Sequence, residues 1–156
     1  MSPGTVVGEA PPERRRWLSV LAKALPRELV EAWDELKDRP AFTALRKAET
    51  GLVLVRGRMG GTGDAFNVGE MTVTRAAVRL PGGETGVGYV GGRDKRHAEL
   101  AAAVDAMMQS PTLRERAQAI VERLARQQQA RRDAAARKAA ATRVDFFTMV
   151  RMRSPD

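Results

Sequence analysis

The chain has 156 residues, with 27 Lys and Arg against 19 Asp and Glu, a formal net charge of +8 and a pI of about 10.9. This length predicts one domain, and the absence of cysteine excludes disulfides, thiolate nucleophiles and iron–sulfur or cysteine-ligated zinc sites. The positive charge favours anionic partners such as nucleic acid, nucleotides or an acidic protein surface, although an aromatic content of 4% leaves few side chains on which bases could stack.

Residues 1–12 contain prolines, glycines and small side chains and are predicted to be a disordered leader. They lack the apolar core of a signal peptide, and no stretch of the sequence approaches the roughly 18 consecutive apolar residues that a membrane span needs. We therefore expect a cytoplasmic protein that makes no contact with a membrane.

Two short helices are predicted after the leader. Trp17 and Leu21 lie one helical turn apart on an apolar stripe, and Leu29 and Trp33 repeat that spacing after Pro26. Proline ends one helix or begins the next, because it lacks a backbone N–H. The first third of the domain is thus predicted to be a helical pair joined at a proline.

The period changes to two in the middle of the chain, which predicts strands at 52–55, 72–80 and 87–90. Thr50-Gly51 and Pro81-Gly82-Gly83 are typical of turns at the ends of such strands. Three or four short strands joined by tight turns indicate an antiparallel sheet.

Two further helices follow the sheet. Asp94 is placed to cap a helix that runs to about residue 109, and Ser110-Pro111 offers a cap and a first helical residue for the next one. Residues 125–142 are Ala, Gln and Arg, with high helix propensity and almost no bulky side chains to bury. This segment is predicted to be a helical arm, either solvated or docked on a partner.

The segment 143–151 is apolar on both faces if it is extended, so it is predicted to insert as a covered strand or to join the sheet edge of another subunit. The predicted partner interface consists of Val144, Phe146, Phe147, Met149 and Val150. Residues 152–156 are predicted to be a disordered end. The predicted fold class is α+β: one domain over 13–151, with a sheet of three to four antiparallel strands, helices on both sides of it in sequence and an extended C-terminal segment.

A glycine-rich loop follows the first predicted strand. It contains Arg58, Gly60, Gly61, Thr62 and Gly63, and glycine allows backbone N–H groups to approach an anion closely. The loop leads to a strand, whereas a P-loop or a dinucleotide fingerprint opens a helix. A phosphate cradle and a long sheet connection that needs glycine for its geometry therefore both stay open.

Basic side chains offer further candidates for phosphate binding. Arg75 and Arg79 share one face of a predicted strand, and the guanidinium group suits phosphate or carboxylate. Arg93, Lys95 and His97 lie at a predicted helix N-terminus, where N–H groups attract anions. The alternative is a surface of ion pairs, with His97 as a polar edge of the core. As part of an anion site, His97 would be a possible acid or base near neutral pH. A single histidine cannot make a His-rich zinc site, so no metal is predicted.

Several unusual strings occur in one order along the chain. They are AETGL at 48–52, RMGGTG at 58–63, TRAAVRL at 74–80, GRDK followed by HAE at 92–99, and RVDFFTMVR at 143–151. Together they resemble the G-subunit family of the bacterial carbon–phosphorus lyase core complex, the PhnG family. The resemblance runs from about Trp17 to Arg151, while the leader and the segment 125–142 depart from it. No catalytic residue is implied by it.

This resemblance implies a core complex with H, I and J subunits, in bacteria that use phosphonates as a phosphorus source. The G, H and I subunits, with the L subunit, are implied to convert ATP and an alkylphosphonate to ribose 1-phosphonate 5-triphosphate and adenine. The I subunit is regarded as the nucleosidase-like catalyst, and the lack of cysteine excludes the radical role of the J subunit here. The chain is thus expected to be a non-catalytic or accessory subunit of a transferase, with the I subunit as its most direct partner. ATP is the substrate of the complex, and no cofactor is expected on this chain alone.

A small basic nucleic-acid-binding protein is the alternative. The net charge and the arginines between residues 114 and 143 motivate it, and binding of this kind weakens steeply with salt. It leaves the glycine-rich loop and the apolar C-terminal segment without a role, so the subunit interpretation ranks above it.

Overall fold

The computed structural model describes the backbone of residues 10–151 and the side chains of residues 10–143. The predicted leader up to residue 9 and the predicted end at 152–156 lie outside the described residues. The helices are α1 (Pro12–Lys23), α2 (Pro26–Asp34), α3 (Lys95–Gln109) and α4 (Arg114–Arg151), and the strands are β1 (Thr43–Arg58), β2 (Ala65–Arg79) and β3 (Thr85–Gly91). This is the α+β fold with an antiparallel sheet that the sequence predicts.

The three described strands form one sheet in the order β1-β2-β3, with both pairs antiparallel. Helices α3 and α1 pack against one face of the sheet, where side chains of β2 and β3 such as Val78 and Val90 are fully buried, and α2 and α4 pack on the other helices. The other face carries exposed side chains, including Val87 and Tyr89 of β3. The fold therefore has two layers, and the outer face of its sheet is left uncovered by the described residues.

Helix α3 lies directly on β3 because both surfaces are made of small residues. A Cβ atom added to Gly88 would lie 1.9 Å from the carbonyl oxygen of Ala98, and one added to Gly86 would lie 1.9 Å from that of Ala102. Such distances leave room only for hydrogen on the strand. The alternating glycines of β3 and the alanines of α3 thus set the spacing between the two layers.

Of the two helix starts predicted after the sheet, the first is confirmed. The Asp94 side chain accepts a hydrogen bond from the backbone N of His97 at 2.9 Å, as an N-cap does. The second is wrong by three residues, because α4 begins at Arg114 and not at Pro111. Residues 111–113 form a turn closed by a hydrogen bond of 2.9 Å from the backbone N of Arg114 to the Ser110 carbonyl.

The structure also differs from the prediction at Thr50-Gly51 and in the segment 143–151. Thr50-Gly51 is not a turn, because β1 pairs with β2 continuously there and Gly51 lies opposite Val73. The segment 143–151 is not extended, because α4 continues to Arg151. No proline or glycine interrupts residues 114–151, and the preceding alanines and arginines have high helix propensity, so the helix propagates through the apolar residues.

The side chains of the predicted C-terminal interface lie outside the described residues. These are Val144, Phe146, Phe147, Met149 and Val150. Their role at a partner interface stays a prediction, now for a helical rather than an extended backbone.

Candidate functional site

A two-stranded hairpin projects beyond the three-stranded part of the sheet. Strand β3 pairs only with residues 73–79 of β2, whereas β1 and β2 pair with each other as far as Arg58 and Ala65. We call residues 52–71 the distal hairpin. Its large apolar side chains are between 38% and 77% exposed, and they are Leu52, Leu54, Val55, Met59, Phe66, Val68 and Met71.

Both faces of the distal hairpin carry exposed apolar side chains, although Arg56 and Glu70 share the face of Leu54. Leu52 and Leu54 lie on the face that continues the core side of the sheet, since Thr50 on that face hydrogen-bonds to the buried Thr74. An irregularity in the pairing leaves one extra residue in β2 near Val68. Phe66 then lies opposite Gly57, on the same face as Val55. An uncovered apolar surface therefore occurs on each side of one thin ribbon.

The glycine-rich loop is the tip of this hairpin. Gly60 and Gly61 have positive φ angles of 64° and 78°, a conformation that favours glycine. The backbone N of Gly63 donates to the Met59 carbonyl at 3.1 Å, and Arg58 and Thr62 are exposed beside it. This geometry agrees with the sheet-connection interpretation, and phosphate binding at the tip stays a prediction.

The arginines of the strands are not brought together. Arg58 pairs with Ala65 at the tip, whereas Arg79 pairs with Thr43 at the opposite end of β1. Fifteen positions of β1 separate these pairs, which corresponds to about 50 Å at about 3.3 Å per residue. Arg75 is already engaged, because its Nε donates to Glu49 Oε1 at 2.8 Å. A single anion cannot contact all of these side chains.

The first turn of α3 keeps Arg93 and Lys95 exposed and close in sequence to the Asp94 cap. His97 instead lies in the core at 3% exposure, and its Nε2 is 2.9 Å from the Leu21 carbonyl of α1. This places the imidazole between α1 and α3, where it acts as the polar edge of the core and is out of reach of an anion on the surface.

Sequence reasoning missed Asp105, a fully buried carboxylate in the middle of α3. It accepts hydrogen bonds from Arg14 at 2.7 and 3.2 Å, from Trp17 Nε1 at 2.8 Å and from the backbone N of Val87 at 2.9 Å. Its hydrogen bonds raise the pKa of the Arg14 guanidinium. The only signal in the sequence was an acidic residue between apolar neighbours in the centre of a predicted helix. Asp105 therefore joins α1, α3 and β3.

The two outer edges of the sheet are treated differently. Two backbone groups at the edge of β3 bond to α3, since Asp105 accepts from Val87 N and Gln109 Nε2 donates to the Thr85 carbonyl at 2.7 Å. Among the described strands none pairs with the other edge of β1. An uncovered edge presents backbone donors and acceptors to another chain.

A family model described as "Phosphonate metabolism protein PhnG" matches residues 12–152. The chain belongs to the PhnG family. It is also similar to a curated relative from Rhizobium meliloti (strain 1021), with 50% identity over 139 residues that cover 89% of each chain. That relative is named alpha-D-ribose 1-methylphosphonate 5-triphosphate synthase subunit PhnG. The family predicted from the sequence strings is confirmed.

In this PhnG-family chain, the second half of α4 extends beyond the elements on which its first half packs. The last described anchors are Gln128, whose Nε2 donates to the Val20 carbonyl at 2.6 Å, and Arg131, which pairs with Glu28. The side chains of residues 132–143 are all exposed. The described part of the chain contains no helix long and apolar enough to cross a membrane, and no cluster of three metal-ligating side chains.

Proposed function

We propose that this chain is a subunit of an alpha-D-ribose 1-methylphosphonate 5-triphosphate synthase, in which it serves assembly and leaves the chemistry to other subunits. The observation that carries the proposal is the 50% identity to a named synthase subunit across 89% of both chains. The aligned 139 residues span the surface strands and loops as well as the core, and partners bind through such surfaces.

The positions of the ionisable core residues support a non-catalytic role. Asp105 uses its oxygens on Arg14, Trp17 and Val87, and His97 is engaged with Leu21. A general acid or base must instead lie within hydrogen-bond reach of a substrate proton. In this proposal ATP is the substrate of the complex, and no cofactor is assigned to this chain.

The partners we propose are the I subunit as the direct neighbour, the H and J subunits in the core complex, and the L subunit for activity. Assembly of this kind takes place in the cytoplasm. The predicted C-terminal interface around Phe146 and Phe147 belongs to this proposal, and so does the exposed arm of α4 before it.

The first test is reconstitution of the synthase. We expect release of adenine from ATP and methylphosphonate by the H, I and L subunits to require this chain, and size-exclusion chromatography with light scattering to show it in a complex with the I subunit. A chain that remains a monomer beside the I subunit, with adenine release unchanged in its absence, would contradict the proposal.

The nucleic-acid alternative is decided in the same chromatography. We expect the complex to elute without an absorbance excess at 260 nm, at low salt as well as at high salt. Nucleic acid that the isolated chain retains at low salt and loses at high salt would support the alternative instead.

For substrate phosphate, we propose that the predicted binding residues act at the first turn of α3 alone. Replacing Arg93 and Lys95 together with alanine is expected to raise the KM for ATP about tenfold or more, because a hydrogen bond to a charged group contributes about 1.5 kcal/mol or more. The matched control is Arg79→Ala, an exposed arginine at the far end of the sheet, which is expected to leave KM unchanged. An unchanged KM in the double variant would remove these residues from substrate binding.

A further inference from the structure

We infer that the distal hairpin, residues 52–71, is the docking element of this chain and inserts into an apolar cleft of another protein subunit. The inference rests on the proposed function, since it names the surface through which the subunit joins its complex. Three observations support it: the exposure of the hairpin, its charge and the unpaired edge of β1. They are independent of the similarity to relatives.

The exposure pattern requires a partner that covers both faces. Leu52 and Leu54 are 63% and 62% exposed on one face, and Phe66 and Val68 are 47% and 61% exposed on the other. A two-stranded ribbon with no third strand and no packed layer is at most marginally stable in water. Because the described side chains on both faces are largely exposed and lie outside the hydrophobic core, the ribbon needs a cleft with two walls rather than a flat surface.

The hairpin has no net charge, which favours an uncharged protein surface over a polyanion as its partner. Within residues 52–71, Arg56 and Arg58 are balanced by Asp64 and Glu70, so the formal charge of the segment is zero. The entire net charge of +8 lies elsewhere in the chain. A nucleic acid or an anionic lipid surface would be recognised by clustered lysine and arginine, whereas an apolar protein cleft suits the neutral ribbon.

The open edge of β1 gives the partner a way to fix the ribbon in place. At the other outer edge of the sheet, Val87 N and the Thr85 carbonyl bond to Asp105 and Gln109, while no described strand pairs with the edge of β1. A strand of the partner that adds to β1 would supply main-chain hydrogen bonds along Leu52 to Val55. The apolar side chains would then determine the register through the pockets they enter.

A second copy of this chain fits less well as the occupant. The roomiest of the described clefts, about 440 Å³, is lined by Lys23, Gln128, Arg131, Arg132 and Ala135, so it is basic rather than apolar. Another copy would therefore offer mainly the same ribbon. One two-fold contact between ribbons covers one face of each and leaves the opposite face in water.

The decisive experiment removes the hairpin from the full chain. Replacing residues 53–71 with Asn-Gly would join the paired residues Leu52 and Thr72 by a two-residue turn that suits a hairpin. The buried core lies outside the excised segment. We expect this variant to keep a cooperative thermal transition and to remain outside the complex when co-expressed with the other synthase subunits, whereas the wild type enters it.

Point variants test each face separately and do not depend on the deletion. Leu54→Lys and Phe66→Lys are each expected to weaken binding to the complex about 30-fold or more, as truncation of a central interface residue does. The control is Val87→Lys on β3, also an exposed apolar strand position at 44% exposure, which is expected to change binding less than threefold.

The outcomes separate this inference from the proposed function. If the shortened chain or both lysine variants still assemble normally, the hairpin is not the docking element, and the subunit role stands. Loss of binding in only one of the two lysine variants would contradict the two-walled cleft. A wild-type chain that never joins the complex would overturn both proposals. A homodimer of the isolated chain that dissociates on shortening would assign the hairpin to a second copy instead.

Discussion

A Gly88→Ala substitution is expected to lower the free energy of unfolding by about 3 kcal/mol or more. The added Cβ would lie 1.9 Å from the Ala98 carbonyl oxygen and 2.9 Å from its carbonyl carbon. These are backbone atoms of α3, so relief requires the whole helix to move away from β3. Since small domains are stabilised by only about 5–15 kcal/mol in total, we expect a large fall in the midpoint of urea unfolding or a loss of folded protein.

Gly91→Ala is the matched control for this substitution. Gly91 belongs to the same strand, a Cβ added there would meet nothing within 4 Å, and its φ angle is not positive. We expect its urea midpoint to stay close to that of the wild type. Equal stability of the two variants would show that α3 does not lie on β3 at the described spacing.

Replacing Asp105 with alanine is expected to cost about 3–5 kcal/mol, the range found when one partner of a buried ion pair is removed. The substitution leaves Arg14, the Trp17 indole N–H and the Val87 N–H without their shared acceptor. Asp105→Asn keeps one acceptor oxygen but removes the charge, so an intermediate loss is expected. Urea unfolding followed by circular dichroism measures both.

Asp34→Ala is the control for the loss of a carboxylate. The pair of Asp34 with Arg39 also has an N–O distance of 2.7 Å, but its side chains are 56% and 48% exposed. Exposed pairs of this kind contribute about 0–1 kcal/mol. If Asp105→Ala were no more destabilising than Asp34→Ala, the buried carboxylate would not be the connection between α1, α3 and β3.

The predicted helices and strands follow from local patterns, and most of them are found where those patterns place them. The helical spacing of Trp17 and Leu21, the Asp94 cap and the alternation around Val78 each depend on neighbours in sequence. The turn at Thr50-Gly51 was predicted wrongly for the same reason. Pairing with β2 decides that backbone, and the partner residue Val73 is distant in the chain.

The candidate site was predicted less completely. The interface predicted at 143–151 stays a prediction, because most of its side chains lie outside the described residues, and the exposed distal hairpin around Leu54 and Phe66 was not predicted. An alternating strand has the same pattern whether or not a helix covers it. The predicted strands at 52–55 and 87–90 had equal lengths, so the pattern did not indicate that β1 and β2 extend beyond β3.

The sequence by itself determined the family, the α+β class, the limits of most helices and the lack of cysteine chemistry, because each depends on residue identity or on short-range spacing. Only the tertiary structure decided that His97 and Asp105 lie in the core, that Arg58 and Arg79 are far apart, and that residues 52–71 extend beyond α3 and β3. The physical reason is that burial, strand register and cross-sheet hydrogen bonds are formed between residues distant in the chain. Local sequence patterns therefore do not show which distant residues meet when the helices pack on the sheet.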